Sequence, residues 1–324
     1  MIILTVLFLI LLGAVLTHSQ ISLLYAGLGL ELWFQKMIPS LLPFMILSGI
    51  MVRMQLTDRA AMVIYPVVRP VFRIRKNVCY AMLMGFLCGF PMGARVVEDL
   101  YVRNMITRKE AEYLLAFCNN IGPVYFCSFV LPLLGRKLVF PYLFGMYGIP
   151  LLYGLLLRYT IFRDLSALEE RELSTGRDSI SGRTAALVIC ETGPPKRSFA
   201  ERLLEATDNS IHASVQSILI LGGYMILFNL MNLLPHILLG RPLAFLSPLL
   251  EITGGLKLLG DAFPLYSLLA LMFGGLSCMA QTYSCIGNSD LSIGTYIIHK
   301  LVLTLLCAVF YLFWFLVFPA SFLL

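Results

Sequence analysis

Two stretches in the first half of the chain carry residues suited to binding a small polar molecule. They are Gly85-Phe-Leu-Cys-Gly-Phe-Pro-Met-Gly-Ala-Arg95 and Leu115-Ala-Phe-Cys-Asn-Asn-Ile-Gly-Pro-Val124. Asn119 and Asn120 stand at the end of a short helix, and Gly122 and Pro123 break the chain just beyond them. Amide side chains at such a break offer neutral donors and acceptors without the cost of burying a charge. Gly85, Gly89, Pro91 and Gly93 interrupt the preceding element in the same way. The N-termini of half-helices formed at these breaks favour anionic groups. The blander reading is that both asparagines only cap helix ends.

The second half offers a shorter constellation, Phe273-Gly-Gly-Leu-Ser-Cys-Met-Ala-Gln-Thr282. Ser277 and Gln281 are polar groups inside an apolar segment that Gly274 and Gly275 interrupt, and polar groups at such depth default to a functional reading. Asn288, Ser289 and Asp290 read as a turn and cap ahead of the last span. Lys300 is expected to snorkel to an interface or to pair with an acidic residue rather than to carry protons.

Other chemistries find little support. No pair of the eight cysteines has C-x-x-C spacing, so they read as small buried hydrophobes and not as a metal or disulfide framework. His-Glu-x-x-His, a P-loop and Gly-x-Ser-x-Gly are all missing. An intramembrane serine protease would pair Ser277 with His299, but Cys278 replaces the glycine expected after the serine. The expectation is therefore a protein that is not an enzyme and holds no cofactor or metal.

These residues sit in a chain built for lipid. Apolar residues make up 59% of its 324 positions and charged residues 13%, with a mean hydropathy of +0.86. A soluble domain carries about 25% charged residues. Between Asn209 and Leu324 the charges are Arg241, Glu251, Lys257, Asp261, Asp290 and Lys300, far too few to solvate a globular surface. The net charge of +6 comes mostly from basic residues at the ends of apolar runs and in a central loop. Those are orientation signals, not a nucleic-acid footprint. Spanning helices, which need about 20 apolar residues, are expected at Met1–Leu16 (a retained first helix), Met37–Val52, Leu138–Leu157, Val215–Leu234 and Tyr296–Val317.

Four further apolar segments are interrupted by Gly or Pro: Met62–Phe72, Val78–Ala94, Leu114–Leu134 and Phe263–Ala280. Broken backbone at membrane depth is tolerated only where protein buries it or where it lines a cavity, and interruptions in both halves of a chain point to a transporter's binding site. Close packing through small residues explains any single glycine as well. A basic, polar segment from Arg158 to Arg202 divides the chain and is placed on the cytoplasmic face, from which Val78–Ala94 dips inward. The halves match weakly: Ile38–Gly49 aligns with Ile211–Gly222, and Gly85–Gly89 with Gly274–Cys278. The resulting layout is an N-terminal helix and lead-in (1–35), a first membrane half (36–158), a polar loop (159–202) and a second membrane half (203–324).

The glycine run Gly85–Arg95, the paired asparagines of Leu115–Pro123, and Leu249-Leu-Glu-Ile-Thr-Gly-Gly-Leu-Lys-Leu258 leading to Gly274 and Gln281 resemble the YlbJ-type sporulation integral membrane proteins. These belong to a broader group named for a nucleoside-recognition Gate domain. The resemblance runs from about Leu32 to Phe310, without the central loop. It implies an all-α polytopic membrane fold of two related, inverted halves with re-entrant broken helices, similar to concentrative nucleoside transporters. It also implies a role in spore formation and in supplying dipicolinate to the forespore. The Gly85–Gly93 element lacks an acidic residue comparable to the Gln-Thr-Glu pattern of those transporters, so ribose recognition and sodium coupling do not carry over. The expected function is transport of a small polar, anionic solute by alternating access, in the bacterial inner membrane or a membrane surrounding the forespore. Asn119, Asn120, Ser277 and Gln281 are expected to touch the solute, and Gly85, Gly89, Pro91, Gly93, Gly122, Pro123, Gly274 and Gly275 to let backbone approach it. The lipid bilayer and the solute are the expected partners, and self-association stays open. A membrane scaffold for a sporulation complex is the alternative.

Overall fold

The computed structural model describes residues 2–165, 198–287 and 289–319. Most of the segment expected to be a cytoplasmic loop, and Asn288 of the expected turn, lie outside the described residues. The described chain is helical throughout, with five helical stretches long and apolar enough to cross a membrane, of which Pro264–Ile286 is interrupted at Gly274. This is a multi-pass membrane protein.

The order of elements is as follows. Helix α1 (Ile2–Thr17) leads into α2 (Ser19–Arg53), a 35-residue helix that passes through a π-helical turn at Trp33–Met37. Short helices α3 (Thr57–Ala61) and α4 (Tyr65–Phe72) follow. Then come α5 (Lys76–Cys88), α6 (Met92–Val102), α7 (Arg108–Leu115), α8 (Pro123–Leu134) and α9 (Arg136–Tyr159). The second half holds α10 (Phe199–Leu230), α11 (Leu233–Leu239), α12 (Ser247–Leu250) and α13 (Ile252–Leu259). It ends with α14 (Pro264–Phe273), α15 (Gly275–Ile286) and α16 (Ile293–Val317).

Sequence expectation and structure differ in instructive places. The run Met37–Val52 is only the second half of α2. Gln20 and Glu31 dilute the hydropathy of the first half, yet hydropathy and helix both continue through it. Val215–Leu234 likewise belongs to a helix that starts at Phe199, behind a capping box in which Ser198 and Glu201 satisfy each other's backbone N–H groups. At 32 residues α10 is about 48 Å long, more than a bilayer core of about 30 Å, so its polar first turns extend past the hydrocarbon.

α2 and α10 form the central antiparallel pair. Trp33 donates its indole N–H to the Ile218 carbonyl at 2.8 Å and lies against Gly222. Gly29 sits against the Ile226 backbone and Gly49 against Ser210. With lipid outside, apolar burial does little to join helices, and small residues that permit close packing do the work. The outer surface is apolar, as at Leu16, Leu23, Val63, Leu305 and Leu316.

One buried arginine ties the first half together. Arg158 near the end of α9 is 2% exposed and donates to the carbonyls of Phe72, Arg73, Phe162 and Arg163. Helix-terminal carbonyls lack intrahelical donors, and a guanidinium supplies five N–H groups in one plane. Nearby, Arg75 grips Glu110 at 2.8 and 2.5 Å, and the same carboxylate closes the N-terminal capping box of α7.

With the short helices α3, α4 and α11 set aside, the elements run long helix, helical pair, broken helix, final helix in both halves: α2, α5/α6, α7–α8, α9, then α10, α12/α13, α14–α15, α16. The sequence match of Gly85–Gly89 with Gly274–Cys278 cuts across this order. Gly85 lies inside a member of the helical pair, and Gly274 lies at the break of the broken helix.

Candidate functional site

The interruptions anticipated from the sequence come together. In the first half, α5 ends at Gly89 and the chain reverses through Phe90 and Pro91, joined by a cis peptide bond, into α6. The Phe90 N–H donates to the Asn120 carbonyl at 2.7 Å, which docks this tip onto the open stretch between α7 and α8. Gly89 and Gly122 meet backbone to backbone. A methyl group on Gly122 would lie 2.7 Å from the Cys88 carbonyl oxygen, and Gly89 holds a φ of +77° that side chains disfavour.

The second half supplies two more breaks. α12 and α13 fold against each other around Glu251, with Gly255 in contact with Pro248. α14 gives way to α15 at Gly274 and Gly275, both at positive φ. Gly275 faces the carbonyls of Pro248 and Leu249, and Gly274 lies beside the Phe90 ring. Breaks from both halves thus share one locus. Helices α6, α8 and α15 all begin there.

A hydrogen-bonded network fixes the arrangement. The Asn119 amide donates to the Thr282 hydroxyl at 3.0 Å and to the Tyr296 hydroxyl at 3.2 Å, and its Oδ1 accepts from the Ala94 N–H at 3.4 Å. Asn120 donates to the Phe117 carbonyl at 2.7 Å. Lys300 reaches across from α16 and donates to the Asn119 carbonyl at 3.2 Å and to Asn120 Oδ1 at 3.0 Å. Lys300 is 2% exposed and, among the described residues, forms no salt bridge. The expectation that it snorkels or pairs with an acid is corrected. Its partners are amide oxygens freed by the break between α7 and α8.

Beside this network lies a small cavity of about 30 Å³, walled mainly by apolar side chains. Its wall includes Ser40 and Phe44 of α2, Phe90 and Pro91 of the first tip, Gly122 and Tyr125 of α8's start, Met225 of α10, Glu251 and Thr253 of the second tip, and Gln281 of α15. Glu251 is buried. Its carboxylate accepts from the N–H groups of Thr253 (3.1 Å) and Gly254 (2.6 Å) and from the Asn229 amide (3.1 Å), so it caps α13. The Tyr125 hydroxyl donates to Thr253 Oγ1 at 3.1 Å and links the first half to that cap.

Comparison with known proteins bears on what this assembly belongs to. The chain is 28% identical to the sporulation integral membrane protein YlbJ of Bacillus subtilis (strain 168), over 94% of this chain and 80% of the relative. This chain is YlbJ-like. No family model matches it, and no solved structure matches it either. The likeness spans both membrane halves, so it covers every break that frames the cavity of this YlbJ-like protein.

The residues singled out in sequence fall into two groups. Pro91, Gly122 and Gln281 line the cavity. Asn119, Asn120 and Ser277 do not; they brace the breaks, Ser277 by accepting from Gln281 Nε2 at 2.9 Å. Gly85 packs on the Cys118 backbone, Gly93 on Cys118 and Asn119, and Gly89 on Gly122, so their missing side chains let backbone meet backbone. Pro123 opens α8, and Gly274 and Gly275 form the break before α15. Ser277 and His299 form no hydrogen bond with each other, because His299 Nδ1 pairs with the Tyr153 hydroxyl at 2.7 Å. Of the described cysteines, Cys127 alone is exposed, on the apolar outside, against the expectation of burial. Sequence reasoning missed Glu251, Thr253 and Tyr125 as cavity residues. A signal for Glu251 was present, since it is one of very few charges after Asn209 and sits in an otherwise apolar run.

Proposed function

We propose that this protein carries a small polar, anionic solute across the membrane by alternating access, and that it acts as a carrier and not as an enzyme. The observation that carries the reading is the convergence of chain breaks from both halves on one small cavity, whose mainly apolar wall holds Ser40, Tyr125, Glu251, Thr253 and Gln281. Freed backbone groups are expensive in lipid, so such breaks persist where they serve a buried or watery site. The starts of α6, α8 and α15 at that locus favour negative charge. The single acidic side chain in the wall, Glu251, has its charge engaged by three donors of its own surroundings.

In this reading the halves are inverted repeats, and one bundle rocks against the other about the shared breaks. Gln281 contacts the solute, whereas Asn119, Asn120 and Lys300 position the backbone around it. The YlbJ likeness makes dipicolinate, a planar dicarboxylate, the first solute to test, in a bacterial membrane active during sporulation. Purified protein in liposomes should show saturable uptake that falls at least tenfold in Gln281→Ala and in Asn120→Ala. Undiminished uptake in both variants refutes the site. No uptake by folded wild-type protein refutes the carrier and leaves a membrane scaffold.

A further inference from the structure

A second cavity, of about 170 Å³ and with a more polar wall, lies between α2, α6, α10 and α15. It shares the lining residues Pro91, Leu221 and Gln281 with the central cavity. Its polar lining is Arg95, Gln216, Ser217, Gln281 and Ser284. Further along the same face of α10 it adjoins a smaller cavity bordered by Arg53, Arg95, Asp99 and Ser214, and then an opening bordered by Arg53, Arg103, Arg202 and Glu205. The string of cavities follows α10 from Met225 back to Arg202, with the arginines Arg53, Arg95, Arg103 and Arg202 and the carboxylates Glu251, Asp99 and Glu205 along it.

Arg95 is placed where local energetics disfavour it. It sits in the first turn of α6, where the helix dipole opposes a cation, and its side chain is 26% exposed inside a membrane protein. Its Nε forms an i,i+4 ion pair with Asp99 Oδ1 at 3.5 Å, a long contact, and the carboxylate of Glu98 also lies within its field. A guanidinium held by its own helix only through a long Nε contact can present its planar fork to a carboxylate bidentately. Gln216, on the opposite wall, and the second N–H of Gln281 add neutral donors.

The geometry points to a carboxylate-binding vestibule in which Arg95 is the anchor for the anionic solute before it passes Gln281 into the central cavity. This rests on the carrier reading for its direction of travel, and the site itself stands apart from it. The chemical class is a small planar mono- or dicarboxylate, held by one Arg95 fork. Basic residues toward the Arg202 end raise the local anion concentration at the mouth.

The test uses the full chain in lipid nanodiscs, with radiolabelled pyridine-2,6-dicarboxylate as the probe and its uncharged diamide as the comparison. Arg95→Gln should weaken dianion binding at least tenfold and leave diamide binding within twofold. Arg95→Lys keeps the charge without the fork and should fall between Arg95→Gln and wild type. Gln216→Glu, on an exposed position of α10, adds a negative charge to the same cavity and should also weaken the dianion about tenfold, which covers the case where Arg95→Gln fails to fold. Arg59→Gln, on α3, serves as the control for generic surface charge. Dianion binding within twofold of wild type in Arg95→Gln and Gln216→Glu overturns the site, as does an equal loss in Arg59→Gln, or an equal loss of dianion and diamide. Arg95-dependent binding without saturable flux leaves the vestibule standing and removes the carrier reading.

Discussion

The amine of Lys300 on the last helix donates to Asn120 Oδ1 at 3.0 Å and to the Asn119 carbonyl at 3.2 Å. The contact joins residues 180 positions apart and places a buried cation on the oxygens freed where α7 ends. Helix C-terminal carbonyls carry partial negative charge, so the position suits a lysine without any carboxylate nearby.

Removal of that amine separates function from stability. Lys300→Met strands two acceptors, at about 1–3 kcal/mol each, but also removes a buried charge whose desolvation opposes folding. The two terms are of similar size. The expected outcome is a thermal midpoint close to wild type in detergent micelles, with uptake at least tenfold lower because the break is no longer held. A large drop in midpoint would show that the lysine's hydrogen bonds outweigh its desolvation.

Asn120→Ala, unlike Lys300→Met, should destabilise the fold. It leaves the Lys300 charge in place and deletes one of its acceptors. A hydrogen bond to a charged group is worth about 1.5–3 kcal/mol, so the midpoint should fall clearly below that of Lys300→Met. Thermal unfolding of both variants in the same detergent checks the order.

Glu251 caps α13 through two backbone N–H groups and holds the Asn229 amide. Glu251→Ala leaves these donors without partners and should cost about 2–4 kcal/mol. Glu251→Gln keeps one acceptor oxygen and should lose about half as much. Equal losses for the two variants, measured by denaturation in micelles, would show that the cap contributes little.

Gly122→Ala puts a methyl 2.7 Å from the Cys88 carbonyl oxygen, where neither backbone has room to move. Overpacking of this kind costs typically about 1–3 kcal/mol. The variant should give a lower midpoint and a displaced first tip, read as greater protease or thiol-reagent access to Cys88, which is buried in the native fold. Wild-type protection of Cys88 would mean the close approach of Gly89 and Gly122 is not needed.

Asp290, in the turn before α16, accepts from the Tyr101 hydroxyl at 2.7 Å and pairs with Arg108 at 3.1 Å. The Tyr101 hydrogen bond first, and Arg108 after it, hold its carboxyl below the usual value of 3.8. A depressed carboxylate stabilises the fold above its unfolded value, and that contribution disappears as pH falls through the lower folded value. Wild type should therefore exceed Asp290→Asn in midpoint at neutral pH and converge with it in strong acid. The difference will be small, because the group is exposed and solvent screens it. A gap that persists in strong acid would contradict the assignment.

Much of the architecture was legible one residue at a time. The charge deficit after Asn209 requires lipid, since hydrocarbon accepts what so few charges cannot solvate. The breaks at Gly89–Pro91, Gly122–Pro123 and Gly274–Gly275 were legible as well, because glycine and proline act on their own backbone. Helix starts were less so. Ser198 and Glu201 open α10 some way before its apolar run, through a cap that hydropathy does not register.

What the chain could not reveal alone is which groups face the cavity. Asn119 and Asn120 are polar residues at a break, as a solute site requires, yet Thr282, Tyr296 and Lys300 take up their side chains from other helices. Glu251, Tyr125 and Arg95 face the cavities instead. Sequence determined that this protein lives in a membrane and where its helices break, because hydropathy and backbone conformation are properties of neighbouring residues. Only the tertiary structure decided which polar groups are occupied and which are left to meet a ligand, because that depends on partners 100 or more positions away in the chain.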